Sequence, residues 1–144
     1  MSQKDQITNQ LDELAGHDAD WPDTLALLEY QQDDEDDRML KHVVINMEIT
    51  PRLHWLEGHF PETPLLPGVV QTHWAGVLSQ QLVGDDKHFA QCDNVKFLEL
   101  ILPGNCVMLT LTKASALKVR FQYAQEQLDE KKVHSTGTIT FQEV

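Results

Sequence analysis

The chain has 144 residues, 41% of them hydrophobic, which suits one domain around one core. Its longest apolar runs, such as PLLPGVV, are too short to span a bilayer, and MSQKDQITNQ has no apolar signal region, so a cytoplasmic protein without a membrane span is expected. The net charge of −12 is unevenly spread: residues 1–37 carry twelve acids and one lysine, residues 38–144 eleven acids and ten bases, and no basic stripe points to a nucleic-acid partner.

In chain order, residues 1–22 read as an acidic N-terminal extension and residues 23–144 as the domain proper. QITNQLDEL offers Ile7, Leu11 and Leu14 to one side of a short amphipathic helix, with disorder as the alternative. The break falls at DWPD. TLALLEYQQ (24–32) is ambiguous between helix and strand, because a short apolar run does not separate them. Strand is favoured, since the acidic run DDEDD and a clear strand follow. DDEDD itself is expected to be a solvated turn. In residues 38–49, Val43, Ile45, Met47 and Ile49 alternate with Val44, Asn46 and Glu48.

Pro51 ends that strand and opens a long ordered loop to residue 67. GVVQTHWAGVLSQQL (68–82) then runs without proline or turn signal. It is apolar or small over most of its circumference, so it is expected to be a buried helix. Strand signals fill the remainder. Residues 92–101 put Val95, Phe97 and Ile101 in one phase, and PGN (103–105) is a turn. Leu109 and Leu111, then Val119, Phe121 and Tyr123, then Ile139 and Phe141 alternate with polar residues. Strands joined by short turns imply an antiparallel sheet, and one helix against it gives an α+β layer architecture. One helix cannot cover both faces of such a sheet, so dimerisation is expected. Cys92 and Cys106 lack metal-like spacing and read as two buried thiols.

The stretch GHFPETPLLPGVVQTHW (58–74) is too stiff for an ordinary connection. Pro61, Pro64 and Pro67 each fix φ and restrict the residue before them. Pro67 suits the first turn of the following helix. Leu66 before it cannot cap, which leaves the first N–H groups for a ligand oxygen gaining negative charge, unless Thr63 or Glu62 folds back as the cap. Gly68 admits a ligand close to its backbone. His59 and His73, taken singly, read as structural histidines. Together, near such a helix end, two imidazoles suit proton transfer on a carbonyl substrate. A zinc set of His54, His59 and His73 matches no familiar spacing, so no metal is expected. Trp55, Phe60 and Trp74 read as core and tunnel lining.

GHFPETPLLPGVVQ resembles the signature of the FabA/FabZ group of 3-hydroxyacyl-[acyl-carrier-protein] dehydratases, and NVKFLELILPGN is similar to the strand–turn–strand that follows in that group. LPGVVQTHWA looks most like the ApeI-type dehydratases associated with aryl polyene gene clusters. The likeness covers roughly residues 38–142. It implies a hotdog fold, a long helix wrapped by an antiparallel sheet, with two subunits forming a homodimer and two sites at the seam. It implies His59 as catalytic base and the Gly68 N–H as donor to the thioester carbonyl. Phe60, Pro67 and Val69 are then substrate contacts, and no cofactor is called for.

The helix position that holds Glu or Asp in FabZ and FabA falls on His73, which would supply the second proton from the partner chain. The implied activity is dehydration of 3-hydroxyacyl thioesters on an acyl carrier protein to trans-2-enoyl thioesters. The alternatives are a hotdog acyl thioesterase, weakened by the lack of any Asp or Glu in 68–82, and a non-catalytic acyl-binding or partner subunit. Docking of an acidic carrier would draw on Lys96, Lys113, Lys118, Arg120, Lys131 and Lys132, although solvated strand faces are the favoured reading for most of them.

Overall fold

Period-two alternation builds the sheet of this protein, seen in a computed structural model. The structure describes residues 2–16, 20–32, 41–50, 65–127 and 130–143. The elements are α1 (Gln3–Leu14), β1 (Leu25–Gln32), β2 (Lys41–Glu48), α2 (Gly68–Val83), β3 (Lys87–Phe97), β4 (Cys106–Ser115), β5 (Lys118–Gln127) and β6 (Glu130–Glu143). Six strands lie in the order β1-β2-β4-β5-β6-β3, every neighbouring pair antiparallel. The ambiguous segment 24–32 supplies strand β1, while the acidic run 33–37 lies outside the described residues.

Register brings the apolar phases together across the sheet. Val43 faces Leu111, which faces Phe121; Ile45 faces Leu109, which faces Tyr123. All six are buried. Such cross-strand pairs contribute about 0.2–1 kcal/mol each beyond alanine. Opposite Phe121 stands Gly137, whose missing side chain leaves room for the phenyl ring.

Helix α2 lies on the inner face of this sheet. Val70, Trp74, Ala75, Leu78 and Leu82 enter the core, as expected for an apolar helix. Each large side chain fully buried there contributes about 1.5–3 kcal/mol. The helix stops at Gly84, which has φ 116, with the Gly84 N–H donating to the Gln80 carbonyl at 3.0 Å. Helix α1 starts at Ser2, whose hydroxyl accepts from the Asp5 N–H at 3.1 Å. Ile7 and Leu11 of α1 enter the same core as α2. The Gln3 amide donates to the Gln81 carbonyl at 2.6 Å, and the Tyr30 hydroxyl donates to Gln3 Oε1 at 2.8 Å.

Three sequence expectations are corrected. Strand β3 begins before residue 92 and ends at Phe97, and Val95, Phe97 and Ile101 do not share one phase. Irregularities between Phe89 and Gln91 and between Asp93 and Lys96, with Asn94 at φ 53, shift the alternation. Phe97 is therefore 55% exposed, while Ile101 is buried beyond the strand's end. Lys113 follows the inward phase of Leu109 and Leu111 and is only 8% exposed, so it is not part of a solvated docking face. The thiols are not both buried: Cys106 is exposed and Cys92 half-buried.

Candidate active site

The stiff bend enters the described structure at Leu65. Leu66 is buried, and its N–H donates to the Ile101 carbonyl at 2.9 Å. Its own carbonyl accepts from the Gln71 side-chain amide at 3.2 Å. Gln71 Oε1 in turn accepts from the Ser135 hydroxyl at 2.7 Å, and the Tyr123 hydroxyl donates to the Gln71 carbonyl at 2.8 Å. Gln71, Ser135 and Tyr123 are all buried. This network clamps the last residues of the bend to the first turn of α2, and it satisfies the polar groups it buries. Burial holds the Tyr123 phenol well above its usual pKa, so it remains a neutral donor.

Pro67 occupies the N-cap with φ −60 and ψ 145 and offers no side-chain hydrogen bond. Its carbonyl accepts from the Val70 and Gln71 N–H groups at 3.1 and 3.2 Å. The first turn holds no acid. Among the described residues no carbonyl meets the N–H groups of Gly68 and Val69, and that helix end carries partial positive charge. Thr63 and Glu62, the candidate caps, lie outside the described residues, as do His59 and Phe60.

Gly68 packs directly against the Phe97 ring; a Cβ there would come within 2.5 Å of Cζ. A cavity of about 490 Å³ opens beside it, lined by Leu65, Gly68, Val69, Phe97, Leu98 and Leu100 among others. A second cavity of about 310 Å³ follows the outward face of α2, with Val69, His73, Gly76, Val77, Phe89 and Cys92 in its wall. Val69, 74% exposed, borders both. Gly68 and His73 are about 7.5 Å apart along the helix axis, at 1.5 Å per residue.

His73 is not a satisfied core histidine. It is exposed, and among the described residues none hydrogen-bonds its imidazole. Its neighbour is the indole of Trp21, with ring centroids 6.3 Å apart and planes at 47°. Trp21 itself stacks on Trp74 at 5.6 Å and 24°.

A further histidine went unnoticed in the sequence. His134, 1% exposed, has Nε2 at 3.2 Å from Gln125 Oε1. Burial lowers its pKa below the ordinary imidazole value. Its carbonyl accepts from the Leu98 and Glu99 N–H groups at 2.8 and 3.2 Å, which fixes the segment lining the larger cavity. The signals for Gln71 and Ser135 were a glutamine inside an apolar helix and a serine in an apolar strand phase. The described residues hold no group of three His, Cys, Asp or Glu placed for a metal, and His54 and His59 of the zinc set lie outside them. No described helix is long and apolar enough to cross a membrane.

Among solved structures, a protein of Erwinia carotovora subsp. atroseptica superposes with a TM-score of 0.72 at 27% identity, covering 84% of this chain and 96% of that one. The dehydratase heterocomplex ApeI:P of Xenorhabdus doucetiae gives a TM-score of 0.62 at 27% identity, with 83% and 99% covered. By sequence, the 3-hydroxyacyl-[acyl-carrier-protein] dehydratase FabZ of Streptococcus uberis is 30% identical over 117 residues, 73% of this chain and 83% of the relative. The family model for ApeI-like proteins, described as ApeI dehydratase, matches residues 31–138. The six-stranded antiparallel sheet around α2 is thus a hotdog fold, and the chain belongs to the ApeI-like branch of the FabZ-type dehydratase family.

Proposed function

We propose that this protein removes water from 3-hydroxyacyl thioesters on an acyl carrier protein, giving trans-2-enoyl thioesters for fatty acid or aryl polyene type biosynthesis. The observation that carries this reading is the start of α2: Gly68 begins the helix behind Pro67, whose side chain makes no capping hydrogen bond, beside an open apolar cavity. There the Gly68 N–H receives the thioester carbonyl, and Phe60, Pro67 and Val69 flank the substrate. Hydrogen bonding at that carbonyl stabilises the enolate-like charge that develops when C2 loses its proton. His59 takes that proton. The C3–O bond then breaks, the C2=C3 double bond forms, and the hydroxyl leaves as water with a proton from His73 of the second subunit.

The second subunit is a second copy of this chain. Strand β3 is the last strand of the sheet beside β6 and leaves one edge for pairing, with Phe89 and Phe97 exposed along it. A homodimer joined there would complete two sites at its seam. The absence of any Asp or Glu from Gly68 to Val83 speaks against the thioesterase alternative, in which an acid residue directs water. The decisive assay is mass spectrometry of 3-hydroxyacyl carrier proteins of several chain lengths incubated with the protein. Loss of water is the expected result. Free thiol without enoyl product would support thioester hydrolysis, and tight acyl binding without turnover would make the chain a partner subunit.

A further inference from the structure

Among the described residues, none gives the His73 imidazole the hydrogen bond that ordinarily aims a proton-transfer group. What it has is a wall. Trp21 comes from the connection between α1 and β1, far from residue 73 in sequence, and its indole lies 6.3 Å from the imidazole at 47°. That indole is held firmly. It is 5% exposed and stacks on Trp74, whose own Nε1–H donates to the Asp20 carbonyl at 3.0 Å. Downstream of Gly16, the connection is tied back by the Gly16 N–H donating to the Pro22 carbonyl at 3.4 Å. Helix α1, which feeds this connection, is anchored by Ile7 and Leu11 in the core and by the Gln3 contact to α2.

From this arrangement we propose that Trp21 is a positioning residue for His73: the N-terminal segment supplies a rigid aromatic plate that limits the rotamers of the imidazole and keeps it directed along the outward face of α2. The inference rests on the role given to His73 above. A flat, unbranched ring can be aimed by a flat neighbour, whereas a carboxylate would need donors at that spot. The side chain at 73 and the segment at 20–22 are therefore matched, and the acidic extension belongs to the site and does more than lead into the fold. Rotamer restriction acts on the geometry of the proton transfer and leaves thioester binding at Gly68 alone.

The test compares hydration of an enoyl thioester by the wild-type protein, Trp21→Leu, His73→Ala and the double variant. Trp21→Leu is expected to lower kcat roughly tenfold while KM stays within about twofold. In the His73→Ala background the same change is expected to cost nothing further, because the plate would have no ring to aim. Equal losses in both backgrounds, or no loss in either, would overturn the proposal. Trp21→Phe, which keeps a smaller plate, should recover much of the rate, and if Trp21→Leu does not fold the NMR comparison with Trp21→Phe carries the test. NMR separates this inference from the site assignment. The ring protons of His73, identified by their disappearance in His73→Ala, should shift in Trp21→Phe as the indole ring current is lost. Unmoved signals reject the contact. Full activity of His73→Ala with a clear shift would instead reject the role of His73 in the reaction.

Discussion

The two sides of helix α2 solve opposite problems. On the inner side, Val70, Gln71, Trp74, Ala75, Leu78, Ser79 and Leu82 are buried, and the larger polar member, Gln71, uses both ends of its amide and its carbonyl within one network. On the outer side, Val69 stands free, Gly76 leaves a gap and His73 has no hydrogen bond among the described residues. One helix of sixteen residues thus carries a packed face that fixes its position, with Gln71 as its anchor, and an open face that has something left to offer. Unused hydrogen-bonding capacity next to an open cavity, on an element held rigidly from behind, is what a reacting site requires.

Replacing an outward group should damage chemistry and spare the fold, and replacing an inward group should do the reverse. The largest expected effect is on catalysis: His59→Ala or His73→Ala should reduce dehydration about 10²- to 10⁴-fold, the range for losing a proton-transfer group, with melting temperature little changed. Rates follow from carrier-protein mass spectrometry. Next comes the inner face. Gln71→Ala strands the Ser135 hydroxyl and the Leu66 carbonyl in the core, and should cost about 2–4 kcal/mol in urea unfolding.

Gly68 sits on the boundary between the two faces. Gly68→Ala brings a methyl group against Phe97, whose ring is exposed enough to yield, so stability should fall by no more than about 1 kcal/mol. Crowding at the carbonyl-binding amide should nevertheless lower kcat/KM roughly tenfold. The smallest effect concerns His134. Its folded pKa is depressed by burial below the ordinary 6.5, so the unfolded chain binds the proton first as pH falls. Its contribution is intact above pH 6.5 and is lost progressively below it, down to the lower folded value. Thermal melts of His134→Gln between pH 7 and pH 5 should decline less steeply than those of the wild type.

Much of this architecture was legible as pattern. The proline-free run after Pro67 marked α2, and the alternations at Leu109–Leu111 and Val119–Tyr123 marked β4 and β5. What stayed hidden depends on tertiary geometry. The phase of β3 turns on irregularities and on Asn94 taking positive φ, which no spacing in residues 87–97 announces. Whether residues 3–14 form a helix was undecidable locally, because isolated helices that short are marginal and this one is held by Ile7 and Leu11 in a distant core. A helix apolar nearly all round suggests burial on every side, and so concealed that His73 would face outward. Trp21 passed as part of a break, since nothing in DWPD reveals an aromatic neighbour fifty residues away. The motif GHFPETPLLPG gave the strongest functional signal, but His59 and Phe60 lie outside the described residues, so their roles rest on the family resemblance.

Strand order also bears on how the molecule comes into being. Although β3 precedes β4 and β5 in the chain, among the described strands its only neighbour is β6. During translation at about 5–20 residues per second, β3 is made several seconds before Glu130–Glu143 exist to receive it. For that interval the strand that borders the outward cavity is an orphan on a half-built protein, and any chaperone or second polypeptide that reaches it early competes with β6 for the same hydrogen bonds.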